Sequence, residues 1–289
     1  MSSRVLITGG GGQLASDLEA LMAGTAEVRA PGRDELDITD DAAVAAVFAD
    51  FGPTAVFNCA AFHNVEVCER EEDRSFEVNA RAVKRLATRS AEVGARFGHL
   101  STNYVFDGAA ASPYDESALP NPRSIYAISK LAGEYAALSY APDALVVRTS
   151  GLYGLHGSVS KGGNFVTRMI ARAEEQGALK VVADQRLTPT FTADLAAGIL
   201  AAVDAGTKGV LHVTNSGETS WHGFTEAFLS LAGIDVPVER GETVIAPGAA
   251  NRPLNGVITS ARGLAPLRSW DEALVDYLER AGLLATARA

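Results

Sequence analysis

Tyr126 and Lys130 are four residues apart in the segment 124–134, whose pattern predicts a helix, so both side chains project from one helical face. An ammonium beside a phenol favours the phenolate, and we expect Lys130 to lower the pKa of Tyr126. Such a tyrosine could give or accept a proton near neutral pH. The spacing alone is a weak signal, because many surface helices carry the same pair in solvent.

Hydroxyl residues follow the apolar run 96–100, which predicts a strand that ends at Ser101 and Thr102. Ligands bind at the carboxyl ends of strands in open α/β sheets. A hydroxyl there could hydrogen-bond the same substrate oxygen as Tyr126. The two segments together indicate proton-transfer chemistry at one edge of a sheet.

Glycines occupy positions 9–12, after the apolar run 4–8 and before the amphipathic run 16–22. This order predicts a strand, a tight turn and a helix whose N-terminus can hold a pyrophosphate. A P-loop is excluded because no Lys-Ser or Lys-Thr follows the glycines. We favour a dinucleotide site over a flexible turn without a ligand.

Arg33 follows the second predicted strand, where the residue type indicates the cofactor. An arginine at this place accommodates the 2′-phosphate of NADP, whereas a carboxylate holds the 2′-hydroxyl of NAD. Arg33 therefore favours NADPH. In the alternative, Arg33 is a solvated turn residue and Asp34 or Asp37 holds the ribose of NADH.

Apolar runs of strand length alternate with helix-period stretches from residue 4 to about 215, which is typical of parallel βαβ units. Strands are predicted near 4–8, 26–30, 54–59, 96–101, 144–149, 179–182 and 210–214. Helices are predicted near 12–23, 40–51, 72–94, 124–140, 164–177, 191–204, 220–232 and 270–282. We expect an α/β fold, a Rossmann-like doubly wound parallel sheet with a smaller interleaved C-terminal substrate-binding lobe. Residues 1–150 would form the NADP-binding core, with part of 179–215 returning to the sheet, and 151–289 mainly the lobe.

The chain has 289 residues and a formal net charge of −10, and its Lys and Arg residues are dispersed, so no basic face is expected for nucleic acid. No apolar run reaches the roughly 18 residues of a membrane-spanning helix. Signal-peptide features are missing from the first residues, and two cysteines build no disulfide framework. We expect a cytoplasmic protein that acts on a small molecule and could form a homodimer through a surface helix pair.

The sequence resembles the extended short-chain dehydrogenase/reductase family, and within it the dTDP-4-dehydrorhamnose reductases, over almost the whole chain. The matching segments begin with TGGGGQLA at 8–15 and continue at 36–40, 58–61, 78–80, 101–108, 126–134, 148–150, 163–166, 184–185, 188–190, 219–221 and 252–253. The resemblance implies NADPH-dependent reduction of the 4-keto group of a nucleotide-activated 6-deoxyhexulose. Thr102, Tyr126 and Lys130 would be catalytic, with Tyr126 as the proton donor.

The resemblance also implies a cofactor site and a substrate site. Lys130 would bind the nicotinamide ribose beside Tyr126. The other cofactor residues would be Gly9, Gly12, Gln13 and Leu14 at the pyrophosphate, Asp37 and Ile38 at the adenine, and Ala60, Ala61 and Phe62 at the middle of the cofactor. Val65, Tyr104 and Asn164 would face the sugar nucleotide. Arg252 could contact its pyrophosphate or hold a loop in place. No metal is predicted, because the C-terminus offers no counterpart to the acidic magnesium site of some relatives.

Two positions depart from the family pattern. Related dehydratases carry an Asp-Glu pair directly after the catalytic threonine, where this chain has Asn103 and Tyr104, so water elimination is not expected. The reductases usually have Asp in place of Asn103 and Trp in place of Gly151, which leaves the identity of the sugar open.

Two alternative functions also stay open: a non-catalytic NADP-binding regulatory subunit, like that of methionine adenosyltransferase, and a nucleotide-sugar epimerase with tightly held NAD.

Overall fold

The computed structural model describes residues 3–156, 162–263 and 265–285, so residues 157–161, 264 and 286–289 of the predicted lobe lie outside the described part. The strands are β1 (Arg4–Thr8), β2 (Glu27–Arg29), β3 (Ala55–Asn58), β4 (Arg96–Leu100), β5 (Leu145–Arg148), β6 (Leu152–Tyr153), β7 (Leu179–Val182), β8 (Arg186–Leu187), β9 (Thr190–Phe191), β10 (Gly209–His212), β11 (Thr219–Ser220) and β12 (Val238–Gly241). The helices are α1 (Gln13–Met22), α2 (Asp41–Phe51), α3 (Val65–Arg70), α4 (Glu72–Phe76), α5 (Ala82–Glu92), α6 (Ile125–Tyr140), α7 (Phe165–Gln176), α8 (Thr192–Asp204), α9 (Trp221–Leu231) and α10 (Trp270–Arg280). None of the helices in these ranges is long and apolar enough to span a bilayer.

Six strands form one sheet in the order β2-β1-β3-β4-β5-β10, and every neighbouring pair is parallel. The chain goes from β1 to β2 on one side and then crosses to β3 on the other. The order of the strands therefore reverses between β1 and β3, which is where open α/β sheets bind their ligands. The α/β fold with a doubly wound parallel sheet is confirmed.

Each face of the sheet carries its own core, as the alternation of side chains in a strand requires. Leu6 and Phe97 pack with α2, α5 and α6 on one face. Val5 and Ile7 pack with α1 and α8 on the other. Because both faces are covered, the central strands read as nearly continuous apolar runs.

A separate core lies in the C-terminal part of the chain. Tyr153, Phe224 and Tyr277 are fully buried there among residues of α7, α9 and α10. Three two-stranded pairings accompany these helices: β7 with β12, β8 with β11, and β6 with β9. Of the range 179–215 that was expected to return partly to the sheet, β10 pairs with β5 in the central sheet and β7 does not.

The helix predicted near 72–94 is present from residue 72 to residue 92, but a π-helical turn (Glu77–Arg81) that was not predicted separates α4 from α5 within it. Asn79 lies in the π turn, and its side chain is drawn into bonds with Phe62 and with Ser129 of α6. α6 approaches the turn closely at Gly133, where a Cβ atom would stand 2.2 Å from the Asn79 carbonyl oxygen. π-helical turns are frequent at functional sites. The helix α3, which precedes α4 and begins after the Asn64 cap, was not predicted either.

Candidate active site

A cavity of about 580 Å³ opens at the carboxyl ends of β1, β3, β4 and β5 and extends to α7 and α9. It gathers all but one of the residues proposed from the sequence. The lining includes Gly9, Gly12, Gln13, Leu14, Arg33, Asp37, Ile38, Ala60, Ala61, Phe62, Val65, Thr102, Tyr104, Tyr126, Lys130 and Asn164. The exception is Arg252, which lies outside the lining.

The glycine turn after β1 lies directly against the segment that follows β2. The amide of Gly10 donates to the carbonyl of Pro31 across 2.9 Å. A Cβ atom on Gly10 would stand 1.9 Å from the Ala30 carbonyl oxygen, so only glycine allows this approach. The position after β1 therefore requires a residue without a side chain.

Helix α1 starts at this turn without a side-chain cap. Gly12 occupies the N-cap position, and no side chain accepts from the first amides of the helix. Helix α2, in contrast, begins with Asp40, whose carboxylate accepts from the amides of Ala42 and Ala43. The side-chain oxygen of Gln13 is also buried without a partner. The N-terminus of α1 thus presents free donors and a positive dipole end to the cavity.

Arg33 and Asp37 stand at the outer end of the same cavity. Their side chains approach to 3.9 Å, and Arg33 is 69% exposed. Asp37 accepts hydrogen bonds from the amide and the hydroxyl of Thr39, and these bonds hold the pKa of its carboxyl below the ordinary value. One carboxylate oxygen of Asp37 is therefore occupied, whereas the Arg33 guanidinium is open to a ligand.

The segment 60–62 is held by two buried asparagines. Asn58 accepts from the amide of Ala60 at 3.2 Å. Asn79 accepts from the amide of Phe62 at 2.8 Å and donates to its carbonyl at 2.9 Å. These bonds fix the backbone that forms the middle of the cavity wall.

Tyr126 lies on α6 opposite the end of β4, within hydrogen-bonding reach of Thr102. The expectation that Lys130 lowers the pKa of Tyr126 is wrong in this structure. Burial raises the pKa of the phenol well above its ordinary value, and the hydrogen bond with Thr102 offsets only part of that rise. The desolvation of a phenolate outweighs the influence of nearby charges here. Tyr126 is accordingly a neutral phenol at neutral pH.

Lys130 is 2% exposed and lies one helical turn beyond Tyr126. Its ammonium donates to the carbonyl oxygen of Leu100 at 2.6 Å and lies 3.3 Å from Nε2 of His99. Burial lowers the pKa of Lys130 to about 8, while the negative charge of Glu134 opposes this shift. The lysine is held at the sheet edge in a form that can release its proton close to neutral pH.

Glu134 anchors α6 to the sheet through a buried ion pair. Its carboxylate accepts from Nε of Arg148 at 2.9 Å and from Nη2 at 2.6 Å, and the two side chains are 2% and 5% exposed. The hydroxyl of Ser101 donates to the same carboxylate. Bidentate pairing satisfies both charges, which a buried ion pair needs in order to be tolerated.

The residues expected to bind the substrate differ in whether their polar groups are already hydrogen-bonded within the protein. The amide of Tyr104 donates to the Thr102 hydroxyl at 3.1 Å, and its ring meets that of Tyr126 edge-on at 6.0 Å. Asn164 caps α7 and donates to the Gly154 carbonyl and the Tyr277 hydroxyl, both at 2.7 Å. Its amide is therefore used within the protein. Val65 begins α3 at the cavity wall.

Arg252 forms a 2.7 Å ion pair with Glu66 of α3. The other carboxylate oxygen of Glu66 accepts from the amide of Ala250. Both bonds fasten the loop before Pro253 to α3 beside the cavity. Arg252 also hydrogen-bonds the phenol of Tyr104 at the cavity wall, and both roles considered for it stay predictions.

Several lining residues were missed by sequence reasoning. Trp221 was expected in the core because of its helical spacing with Phe224 and Phe228. It does pack against the C-terminal core, but it also lines the cavity and meets the Phe165 ring at a 49° tilt with ring centroids 4.4 Å apart. The signal that could have found Phe165, Gln185 and Trp221 was their place in the family-matching segments 163–166, 184–185 and 219–221. Among the missed residues are Phe165, Arg168, Gln185, Arg186 and Trp221.

Comparisons with known proteins agree with this arrangement. The family model described as the RmlD substrate binding domain matches residues 3–282. The dTDP-4-keto-6-deoxy-D-glucose reductase of Streptomyces niveus is 38% identical, with 95% of this chain and 96% of that protein covered. The dTDP-4-dehydrorhamnose reductase of Streptomyces griseus is 40% identical, with 94% and 92% covered. The solved dTDP-4-dehydrorhamnose reductase of Bacillus anthracis, in complex with NADP, is 34% identical with a TM-score of 0.91, over 97% of this chain and 100% of that one. The chain belongs to the RmlD substrate binding domain family.

Proposed function

We propose that this protein is an NADPH-dependent ketoreductase that reduces the 4-keto group of a nucleotide-activated 6-deoxyhexulose. One observation carries the proposal: a single cavity joins Thr102, Tyr126 and Lys130 to the glycine turn and the uncapped N-terminus of α1. The names of the relatives support the substrate class, and the NADP complex of one of them supports the cofactor.

The residues at the α1 end of the cavity fit a dinucleotide. The turn at Gly10 leaves no room for a side chain, and the helix that follows has free amides and no acidic residue in its first turn. Both features suit a pyrophosphate. The Arg33 guanidinium, open to solvent beside Asp37, suits a 2′-phosphate. When bound, NADPH supplies the hydride for the reduction.

Tyr126 holds the proton that the substrate oxygen needs. Burial keeps its phenol neutral at neutral pH, which is the form that a proton donor requires. The hydroxyl of Thr102 accepts from the Tyr104 amide and donates across a long 3.4 Å contact to Oδ1 of Asn103, which a substrate oxygen would replace as the acceptor. Thr102 would orient the carbonyl, and Tyr126 would protonate the oxygen as negative charge develops on it.

Lys130 stabilises the charge that remains. Once Tyr126 has given up its proton, a phenolate is left in a buried place, and an ammonium nearby offsets its cost. The carbonyl of Leu100 keeps the Lys130 ammonium at the end of β4. Lys130 would also donate to the nicotinamide ribose.

The substrate would occupy the end of the cavity between Val65, Tyr104 and α7. Tyr104 and Val65 offer a ring and an aliphatic surface for the sugar, while Asn164 shapes this end through the cap of α7 rather than through a free amide. Arg168 lines the same end and would suit the diphosphate of the sugar nucleotide, whereas the nearby Arg186 guanidinium is already paired with Glu218 and the Ala111 carbonyl. A homodimer, a cytoplasmic location and the division at residue 150 stay predictions from the sequence.

The test is NADPH oxidation with enzymatically generated dTDP-4-keto-6-deoxyglucose as substrate, followed by absorbance. The reaction is run with and without a 3,5-epimerase, and NADH replaces NADPH in a parallel series. Turnover with NADPH is expected. A requirement for the epimerase would indicate a rhamnose-type product, and turnover without it would indicate another deoxysugar.

Two outcomes would contradict the proposal. If the protein binds NADPH but reduces no keto sugar and co-purifies with a larger catalytic subunit, it is a regulatory subunit. If it is purified with oxidised NAD retained and interconverts sugar epimers without net NADPH consumption, it is an epimerase.

A further inference from the structure

A chain of fully buried polar side chains runs behind the active site, from β1 through β3 and β4 to α6. Thr8 and the backbone amide of Ala60 both donate to Oδ1 of Asn58, at 2.6 and 3.2 Å. Nδ2 of Asn58 lies 3.1 Å from Nδ1 of His99, and Nε2 of His99 lies 3.3 Å from the amine of Lys130. Thr8, Asn58 and His99 are each 0% exposed.

The hydrogen-bond donors in this series of side chains determine which ring nitrogen of His99 carries the proton. A backbone amide can only donate, so the Asn58 atom that faces Ala60 is the carbonyl oxygen, and the atom that faces His99 is the NH₂ group. Nδ1 of His99 must then accept. Burial holds the pKa of His99 well below its ordinary value, so the ring is neutral and its one proton lies on Nε2.

We propose that His99 is a positioning residue for Lys130: Asn58 locks it in the Nε2–H tautomer, so it presents a hydrogen-bond donor to the lysine and stabilises the neutral amine. An ammonium has no lone pair with which to accept from this donor, whereas the amine has one. The inference rests on the proposed function, in which Lys130 serves Tyr126.

A stable amine form of Lys130 would allow Tyr126 to be reprotonated after each turnover. Tyr126 loses a proton to the substrate oxygen in each turnover and must regain one before the next. Lys130 can supply that proton only if its amine form is stable, and it then takes a proton back from solvent. A lysine with a proton donor beside it exchanges protons more readily at neutral pH than one paired with an acceptor.

Other charged groups around Lys130 act in the opposite direction or are already neutralised. The charge of Glu134 on α6 favours the ammonium, but Glu134 is itself paired with Arg148 of β5. Cys59, at the end of β3, stays a thiol because burial raises its pKa far above the ordinary value. His99 on β4 is the neighbour whose hydrogen-bonding direction a substitution can reverse.

The tautomer can be observed directly in the resting protein. Two-bond ¹H–¹⁵N spectra of histidine-labelled protein distinguish a ring nitrogen that carries hydrogen from one that does not. His99 is expected to show hydrogen on Nε2 only. His212 is an internal reference of the opposite kind, because its Nδ1 faces the carbonyl oxygen of Thr259 at 2.9 Å and must carry the hydrogen. Hydrogen on Nδ1 of His99 would overturn the inference.

Asn58→Asp reverses the donor without changing the shape of the side chain. The carboxylate can still accept from Thr8 and Ala60, but its second oxygen also accepts, so Nδ1 of His99 must carry hydrogen, and the neutral ring then turns a lone pair toward Lys130. The pKa of Lys130, followed by ¹³C shifts of labelled lysine and assigned by Lys130→Arg, is expected to rise by about one pH unit or more. The alkaline limb of the rate profile should move to higher pH with it.

Asn64→Asp is the control for an added charge at an exposed site, the cap of α3, where the side chain only accepts. Because a charge at position 58 also raises the pKa of Lys130 directly, the rise supports the inference only together with hydrogen on Nδ1 of His99 in the same variant. An unchanged Lys130 pKa in Asn58→Asp, or an equal shift in Asn64→Asp, would overturn the inference. If Asn58→Asp fails to fold, the ¹H–¹⁵N spectrum of the wild-type protein still tests the inference, because it shows which ring nitrogen of His99 carries hydrogen. Because both spectra are recorded without substrate, a missing ketoreductase activity would contradict the proposed function alone.

Discussion

The side-chain amide of Asn103 donates to the carbonyl oxygen of Gly256 across 2.7 Å, and both residues line the cavity beside Thr102. Asn103 is 4% exposed. A Cβ atom on Gly256 would stand 2.5 Å from the Asn103 nitrogen, so the glycine permits the contact. This bond links the end of β4 to the loop that follows Pro253. It requires a donor, and a carboxylate at position 103 has none.

Asn103→Asp restores the residue type usual in the reductases and is expected to destabilise this protein by about 1–3 kcal/mol at neutral pH. The new carboxylate would face a carbonyl oxygen, so its pKa in the folded state lies above the unfolded value of about 3.9. Below that value the protonated acid can still donate to Gly256, and the loss is small. The loss grows as pH rises toward the folded pKa. Urea unfolding at several pH values measures it, and Asn64→Asp, which preserves a helix cap, should show no such slope.

Arg148→Met should cost about 3–5 kcal/mol of unfolding free energy, because it leaves the buried Glu134 carboxylate without its charge partner. The matched control is Arg29→Met, which breaks an exposed pair with Asp50 of 2.8 Å. That change should cost less than about 1 kcal/mol. Similar losses in both variants would mean that the buried pair does not anchor α6.

Tyr126→Phe should lower turnover by at least about a hundredfold, because the proton donor is removed. The dissociation constant for NADPH, measured by fluorescence titration, should change little. Tyr104→Phe is the comparison, since it removes a hydroxyl from the neighbouring ring without removing the donor. Wild-type turnover in Tyr126→Phe would show that another group protonates the substrate.

Arg33→Ala should weaken NADPH binding by roughly tenfold to a hundredfold and leave NADH binding almost unchanged, because only NADPH carries the 2′-phosphate. Arg29→Ala removes another exposed arginine of the same region that does not line the cavity. Isothermal titration calorimetry with each cofactor gives the dissociation constants for NADPH and NADH, and their ratio is compared between the variants. An equal loss for NADPH and NADH would contradict a role for Arg33 in phosphate recognition.

The sequence was sufficient for the central sheet because its signals are local. Short apolar stretches mark strands such as β1, with Val5 to Ile7, and β5, with Leu145 to Val147, and glycines mark the turn after β1. The chemistry-bearing residues follow these strands directly, so parallel topology alone brings Thr102 to the same edge as the glycine turn. Local sequence patterns are therefore enough to place residues of this kind.

The remaining features depend on contacts between distant segments. The π turn at Asn79 forms where α6 packs against it, and no local pattern in 72–94 signals it. The phenol pKa of Tyr126 depends on burial by the surrounding chain, which outweighs the effect expected from its i+4 neighbour. Trp221 shares the spacing of core aromatics and packs on the C-terminal core, but at the start of α9 it also reaches the cavity.

The return of β10 to the sheet has a consequence for any attempt to shorten the protein. β10 hydrogen-bonds to β5 along four residue pairs and forms the outer strand of the sheet on that side. A fragment that ended at residue 150 would leave β5, an apolar strand buried along its length, as an unprotected edge. Such edges pair with other chains and aggregate. A cofactor-binding fragment would therefore need residues up to at least His212 to avoid this aggregation.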